Sequence, residues 1–150
     1  MGHRHKVRRI LVGRILAIDY GAKRCGIAVT DELRLSVNPR PWVAPPELLD
    51  FLRAFAKTET LDTVVLTESR RLDGSANAIQ ERIDGFAERL KKALPEVEVA
   101  FQDEAGSSKE ATQHLIATGV GRRRRSEKGA LDSVSAGIIL ERYLRDAGIW

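Results

Sequence analysis

Hydrophobic residues occur along this chain in two patterns, short continuous apolar runs and longer stretches with helical spacing. A short apolar run bounded by turn residues is typical of a strand that is buried on both faces. Pro39 and Pro41 interrupt one extended segment and restrict it to a sheet edge or a loop, because proline cannot donate to a central ladder. The predicted strands lie at residues 15–18, 26–29, 33–43, 63–67 and 97–101.

The stretches with helical spacing lie between and after these later strands. Two consecutive prolines, Pro45 and Pro46, open the first of them, and Pro95 stops the second. The last stretch is apolar on most sides, which is typical of a helix buried against a sheet. The predicted helices lie at residues 47–57, 76–94, 107 or 108 to 118, and 128–146.

The order of these elements predicts the fold class. Three directly connected strands are followed by crossover helices, which implies an α/β fold with a mixed five-stranded sheet flanked by helices on both faces. No internal repeat or linker interrupts residues 14–150, so a single domain is predicted there. Residues 1–13 form a basic N-terminal arm, for which disorder is one interpretation.

The composition narrows the class of protein. A chain of 150 residues with 43% hydrophobic and 31% charged residues is typical of a globular domain with a real core. No apolar run approaches the roughly 20 residues that a membrane span requires. The single cysteine excludes an internal disulfide and fits the reducing cytoplasm. The formal net charge of +4 is a mild indication of polyanionic partners.

Several carboxylates lie at or just after predicted strand ends. Asp19 follows the first strand, Glu68 the fourth, and Asp103 and Glu104 the fifth. Because strand ends of this kind converge on one crevice in an open α/β sheet, these acids are expected to meet there. Asp132 lies on an apolar side of the last helix and is expected to point into the protein. Two Mg²⁺ or Mn²⁺ ions about 4 Å apart would neutralise such a cluster and serve phosphodiester cleavage.

Each acid also has a structural interpretation. Asp19 could make only an Asx turn, Asp132 could only favour the helix dipole, and Glu68 could pair with a neighbouring arginine. Adjacent residues on an extended chain point in opposite directions. Only one of Asp103 and Glu104 is therefore expected to reach a site.

Two groups of arginines lie in predicted loops, one before the last helix and one after the fourth strand. A basic loop beside an acidic site would hold a nucleic-acid backbone, and binding would then fall steeply with salt. The alternative is a solvated loop without a partner. The candidate nucleic-acid-binding residues in these loops are Arg70, Arg71, Arg122, Arg123, Arg124 and Arg125.

From residue 14 to residue 144 the chain resembles the YqgF/RuvX family. These ribonuclease-H-like proteins are described both as Holliday junction resolvases and as pre-16S ribosomal RNA nucleases. The resemblance rests on Asp-Tyr-Gly-Ala-Lys-Arg-Cys-Gly-Ile-Ala at 19–28, Leu-Asp-Gly-Ser at 72–75, Asp-Glu at 103–104 with Ser-Ser-Lys-Glu-Ala at 107–111, and Lys-Gly-Ala-Leu-Asp at 128–132 followed by Ala136, Ile139 and Leu140.

The resemblance implies a ribonuclease-H-like fold and a metal-dependent endonuclease that hydrolyses phosphodiester bonds in structured nucleic acid. The implied reaction is processing of the pre-16S rRNA 5′ end or resolution of Holliday junctions. By position, Asp19, Glu104 and Asp132 would bind Mg²⁺ or Mn²⁺, and Lys128 and Arg24 would face phosphate. The expected partner is a nucleic acid, either structured RNA or branched DNA, and no membrane association is expected. Whether the protein forms a homodimer is left open.

Two departures from the family pattern affect this expectation. The family usually continues its Asp-Glu with Arg-Leu-Thr, but here Ala105 begins Ala-Gly-Ser, so a basic group is missing. That change favours an alternative, a catalytically weak or inactive nucleic-acid-binding protein in ribosome maturation or transcription. Glu68 replaces part of an apolar segment of the family and becomes an additional candidate catalytic acid. A third class, an actin-like or sugar-kinase phosphotransferase, would need a second lobe for which 150 residues leave no room.

Overall fold

Five strands form one mixed sheet in a computed structural model that describes residues 13–68, 78–105, 109–111, 113 and 130–150. The strands are β1 (Arg14–Tyr20), β2 (Cys25–Thr30), β3 (Val37–Val43), β4 (Leu61–Glu68) and β5 (Glu98–Asp103). Their order across the sheet is β3-β2-β1-β4-β5. The β1–β2 and β2–β3 pairs are antiparallel, whereas β4 is parallel to both β1 and β5. The predicted mixed five-stranded sheet is confirmed.

Helices cover both faces of this sheet. A 3₁₀ turn (Pro45–Glu47) leads into α1 (Leu48–Thr58), and α2 (Ala78–Ala93) and α3 (Ala130–Asp146) follow. Residues 109–111 and 113 are also helical. The α1 and α2 helices pack on one face, and α3 packs on the other against β1, β2 and β3. None of the helices that the structure describes has the length and apolarity to cross a bilayer.

The apolar residues of β1 alternate between two hydrophobic cores. Leu16 and Ile18 face α1 and α2, whereas Ile15 and Ala17 face α3. Burial of both faces explains why β1 is a continuous apolar run rather than an alternating one. Small residues such as Ala17 and Ala28 on the α3 side allow that helix to lie close to the sheet. This close approach positions the beginning of α3 at the sheet edge where β1 ends.

The edge strand β3 is shorter than the sequence pattern predicted. The prediction began at residue 33, but the chain turns at residues 32–34 and the strand begins only at Val37. The carboxylate of Asp31 accepts hydrogen bonds from the backbone N–H groups of Leu35 and Ser36, at 2.7 and 2.9 Å, which closes that turn. Pro39 is accommodated because β3 lies at the edge of the described sheet, beside β2.

The other element boundaries differ from the prediction by one or two residues where they are described. Strand β4 extends the predicted 63–67 to Leu61–Glu68, and β5 shifts the predicted 97–101 to Glu98–Asp103. Helix α1 is displaced by one residue from the predicted 47–57. The predicted arm except for Gly13, and the predicted starts of the second and last helices, lie outside the described residues, as does most of the predicted helix ending at 118.

Candidate active site

Asp19 lies near the carboxyl end of β1, on the face of the sheet that packs against α3. It follows Ile15 and Ala17 at alternating positions, and both of these residues belong to the core under α3. Because β4 and β5 run parallel to β1, their carboxyl ends lie at the same edge of the sheet. Asp19 is therefore held by the central strand at the edge where an open α/β sheet binds its ligands.

Gly26 allows the first turn of α3 to reach this edge. It is the cross-strand partner of Asp19, because antiparallel β2 begins where β1 ends. A Cβ atom at Gly26 would overlap the backbone carbonyl oxygen of Asp132 and would lie 2.9 Å from the nitrogen of Ser133. The absence of a side chain at Gly26 therefore lets the backbone of α3 rest on the strand beside Asp19.

Glu104 contributes a third carboxylate, from the end of β5. Its backbone N–H donates to the carbonyl of Glu68 at 3.3 Å, which continues the parallel ladder by one residue. Glu104 alternates with Gln102, whose side chain donates to Asp146 of α3 at 2.9 Å, so both lie on the α3 face. Asp103 instead accepts a hydrogen bond from the backbone N–H two residues later. Of the two adjacent acids, Glu104 is the one placed beside Asp19.

The three carboxylates interact electrostatically. The pKa of Asp19 is raised from 3.8 to about 7, chiefly because burial disfavours its charge and further because Glu104 and Asp132 are negative. A carboxyl group with such a pKa is half protonated near neutral pH. The site thus carries more negative charge than its surroundings neutralise, which is the electrostatic condition that favours cation binding.

Arg24 supplies one positive group at this site. Its Nε atom donates to Oδ2 of Asp132 at 3.1 Å, and each side chain is 32% exposed. The contact joins the turn between β1 and β2 to the first turn of α3. Part of the negative charge of the acidic cluster is therefore balanced from within the protein.

The donor chemistry of the cluster fits a hard divalent cation, which prefers carboxylate and hydroxyl oxygens. Within the described ranges, no three His, Cys, Asp or Glu side chains lie close enough to coordinate one ion, and the Arg24 guanidinium stands in as the cation on Asp132. The buried hydroxyl of Thr67 has no hydrogen-bond partner among the described residues. Thr67 alternates with Val65, which packs under α3, so it lies on the same face as Asp19. A hydrated cation would satisfy both the carboxylates and this hydroxyl.

Glu68 is placed differently from the other candidate acids. It ends β4 and alternates with Val64 and Leu66, which face α1 and α2. Its position in the strand is therefore on the face opposite Asp19. Its role as an additional catalytic acid stays a prediction. The remaining candidates lie outside the described residues: Lys128, Arg70, Arg71, Arg122, Arg123, Arg124 and Arg125.

Arg142 of α3 is a residue of this site that sequence reasoning missed. Its Nη1 atom donates to the backbone carbonyls of Asp103 and Ala105, at 3.3 and 2.8 Å, and its Nη2 atom pairs with Glu110 at 2.5 Å. These bonds bracket Glu104 and tie its backbone to α3. The only sequence signal is an arginine within a largely apolar helix, and that signal does not identify carbonyls from another segment as the partners.

Replacement of Arg142 by methionine is expected to weaken divalent-cation binding about tenfold, the lower end of the range for residues that orient metal ligands. The fold should persist, because the side chain is 23% exposed and methionine retains its apolar stem. Calorimetric titration of Mn²⁺ measures the change. Arg145→Met is the matched control, since Arg145 pairs only one turn away with Glu141. Equal Mn²⁺ affinities for the two variants would contradict a positioning role for Arg142.

This chain is similar to several known proteins in sequence and in fold. A family profile described as "RuvX: Holliday junction resolvase" matches residues 13–146. A protein of Chlorobium phaeobacteroides (strain BS1) is 37% identical over 140 residues, which cover 93% of this chain and 97% of that protein. A protein of Chlorobium luteolum (strain DSM 273) is 42% identical over 134 residues, which cover 89% and 95%. Both relatives carry the name "Putative pre-16S rRNA nuclease".

Solved structures share the fold at low sequence identity. The Thermus thermophilus RuvC structure in complex with a Holliday junction aligns with a TM-score of 0.53 and 14% identity, over 89% of this chain and 96% of that one. The yeast mitochondrial Holliday junction resolvase Ydc2 aligns with a TM-score of 0.52 and 12% identity, over 95% and 84%. These likenesses establish the ribonuclease-H-like sheet and helix arrangement that the sequence predicted.

Proposed function

Since this chain belongs to the RuvX family of Holliday junction resolvases, we propose that it is an endonuclease that hydrolyses phosphodiester bonds in structured nucleic acid with the help of Mg²⁺ or Mn²⁺. The observation that carries the proposal is the convergence of Asp19, Glu104 and Asp132. Burial, followed by the negative charges of Glu104 and Asp132, raises the pKa of Asp19 to about 7. Oxygen donors that are short of positive charge favour divalent cations. Asp19 and Glu104 also lie at the carboxyl ends of strands, which is where open α/β sheets bind their ligands.

Each residue of the site has a role in this proposal. Divalent cations, when bound, would activate a water molecule and stabilise the charge that develops on the phosphate oxygens. Asp19, Glu104 and Asp132 would hold the cations, and Asp19 would give up its proton as they bind. Arg24 and Lys128 would hold the phosphate, and the arginines at positions 70–71 and 122–125 would bind the backbone of the nucleic acid.

Two substrates remain in the proposal. The names of the curated relatives point to precursor 16S rRNA, and the family description points to four-way DNA junctions. Both are branched or folded polyanions, which suits the net charge of +4. Cleavage of both substrates should be assayed side by side, because the geometry of the acids serves either phosphodiester.

Glu104→Gln is expected to reduce Mn²⁺-dependent cleavage by more than about 100-fold, since removal of a metal ligand should cost more than removal of its outer-shell support. Precursor 16S rRNA and a four-way DNA junction are incubated with the protein and Mn²⁺ or EDTA, and the products are resolved on gels. Asp103→Asn is the matched control, because this adjacent acid bonds within its own turn. Cleavage that survives EDTA, or equal losses in both variants, would contradict the proposed site.

A nucleic-acid-binding protein without catalysis is the second candidate. Ala105 stands where the family usually has an arginine beside the acidic pair. The two described arginines at this site are already engaged, because Arg142 pairs with Glu110 while it contacts the Ala105 carbonyl, and Arg24 pairs with Asp132. Binding of either substrate without metal-dependent cleavage, unaffected by Asp19→Asn, would favour this second function.

A cytoplasmic location is part of the proposal. The single cysteine, Cys25, is free and buried in β2, where burial raises the pKa of its thiol to about 11. A buried thiol of this kind is inert and fits a reducing compartment. A homodimer is a further part of the proposal that sedimentation of the full chain would test.

A further inference from the structure

The Arg24–Asp132 contact connects two parts of the site that are far apart in sequence. The two residues are separated by 108 positions, and the side-chain contact is at 3.1 Å. Gly21 opens the turn that carries Arg24, and a Cβ atom at Gly21 would overlap the backbone carbonyl of Arg24. The turn is thus tight enough to hold the guanidinium against the first turn of α3.

This contact lies where a cation would otherwise act on the cluster. The charge of Asp132 acts on the buried carboxyl group of Asp19, whose pKa is raised first by burial, then by Glu104 and then by Asp132. A guanidinium that donates to Oδ2 of Asp132 uses a lone pair of that oxygen and brings a positive charge close to it. A divalent cation at the same oxygen would be repelled by that charge and would compete for the same electrons.

We propose that Arg24 is an internal counter-ion that competes with the divalent cation for Asp132. In the metal-free protein it neutralises Asp132, and metal binding displaces its guanidinium toward the open edge of the site. Loading with metal thereby exchanges one cation for another and frees a positive group for an anionic ligand. The proposal rests on the proposed function for cation binding at Asp132 and for the identity of that ligand, but its test needs no substrate. If neither the wild type nor Arg24→Gln bound Mn²⁺, both proposals would be overturned.

The test is a calorimetric titration of Mn²⁺ into the full chain, without nucleic acid. Arg24→Gln is expected to bind Mn²⁺ about fivefold more tightly than the wild type, the gain expected from removing a partly exposed ion pair. Arg24→Lys keeps a positive charge and should return the affinity toward the wild-type value. Lys23→Gln removes the same charge from an exposed position in the same turn and is the matched control.

A double-mutant cycle with Asp132→Asn separates competition from structural support. In the Asp132→Asn background, Arg24→Gln should leave Mn²⁺ affinity unchanged, because no carboxylate remains to compete for. Unchanged or weaker Mn²⁺ binding by Arg24→Gln in the wild-type background would overturn the proposal. An equal gain from Lys23→Gln would also overturn it, because the effect would then be one of general charge.

These outcomes differ from a failure of the proposed function. A wild-type protein that binds Mn²⁺ but cleaves neither substrate would disprove the nuclease, while the tighter binding by Arg24→Gln would still establish the counter-ion. A protein that cleaves a substrate, but whose Mn²⁺ affinity is unchanged by Arg24→Gln, would establish the nuclease and disprove the counter-ion. If Arg24→Gln failed to fold, Arg24→Met would replace it in the same titration, because methionine keeps the apolar stem without the charge. Tighter Mn²⁺ binding than wild type is expected, and equal or weaker binding would contradict competition.

Discussion

Asp19→Asn is expected to abolish metal-dependent cleavage and, in the same protein without metal, to raise the melting temperature. The loss of cleavage should exceed about 100-fold, because removal of a proposed metal ligand should cost more than removal of outer-shell support. The gain in stability follows from the buried charge, which costs free energy beside Glu104 and Asp132. With a pKa near 7 instead of 3.8, the cost approaches about 4 kcal/mol at most.

The effect of Asp19→Asn on stability is expected to depend on pH. The folded protein holds the Asp19 proton more tightly than the unfolded chain, since the folded pKa of about 7 lies above the ordinary value of 3.8. Stability from this group is fully present below the ordinary value and is lost as pH rises through the folded pKa. The difference in melting temperature between Asp19→Asn and wild type should therefore be near zero at about pH 4 and largest at about pH 8.

Thermal unfolding in EDTA across that pH range measures the difference. At alkaline pH the asparagine variant should melt several degrees higher, on the order of 2–4 °C for each kcal/mol in a domain of this size. Asp103→Asn serves as the control, because that carboxylate is exposed and bonds to its own turn. If the difference in melting temperature between Asp19→Asn and wild type did not grow with pH, Asp19 would not be the carboxyl group with the raised pKa.

Gly26→Ala is expected to destabilise the protein by about 3 kcal/mol or more, the upper part of the range for overpacking. The added Cβ would overlap the backbone of Asp132, and neither the strand nor the helix can move without disturbing the other. Helix α3 would have to shift away from β2, which would separate Asp132 from Asp19 and also weaken Mn²⁺ binding. Urea unfolding followed by circular dichroism measures the free energy of unfolding.

Gly85→Ala is the matched control for this prediction. A Cβ at Gly85, inside α2, would meet only the end of the Arg89 side chain at 3.7 Å, which is ordinary contact. Alanine is favoured over glycine by about 1 kcal/mol in a helix interior, so this substitution should stabilise the protein. The two glycine replacements should thus act in opposite directions. A Gly26→Ala protein as stable as the wild type would show that α3 does not depend on close contact at β2.

Several features of the fold follow directly from local pattern. The continuous apolar run of β1 predicted a strand buried on both faces, and the prolines of β3 predicted its edge position, because each depends only on neighbouring residues. The turn before β3 was missed. The side chain of Asp31 closes this turn by accepting hydrogen bonds from the backbone. The alternating apolar residues Leu33 and Leu35 are typical of a strand, so the pattern alone did not indicate the turn.

The sequence by itself determined the order of strands and helices, the class of fold and the set of acids from which a site could be assembled. The residue pattern left Asp103 and Glu104 as alternatives, and the family resemblance favoured Glu104, which the structure places beside Asp19. Only the tertiary structure decided that Glu68 falls on the other face of the sheet and that Arg24 and Arg142 contact the acids and their backbone. The physical reason is range. Periodicity and turn chemistry act over a few neighbouring residues, whereas these contacts depend on strand register and on helix-to-sheet approach between residues that are 32 to 108 positions apart.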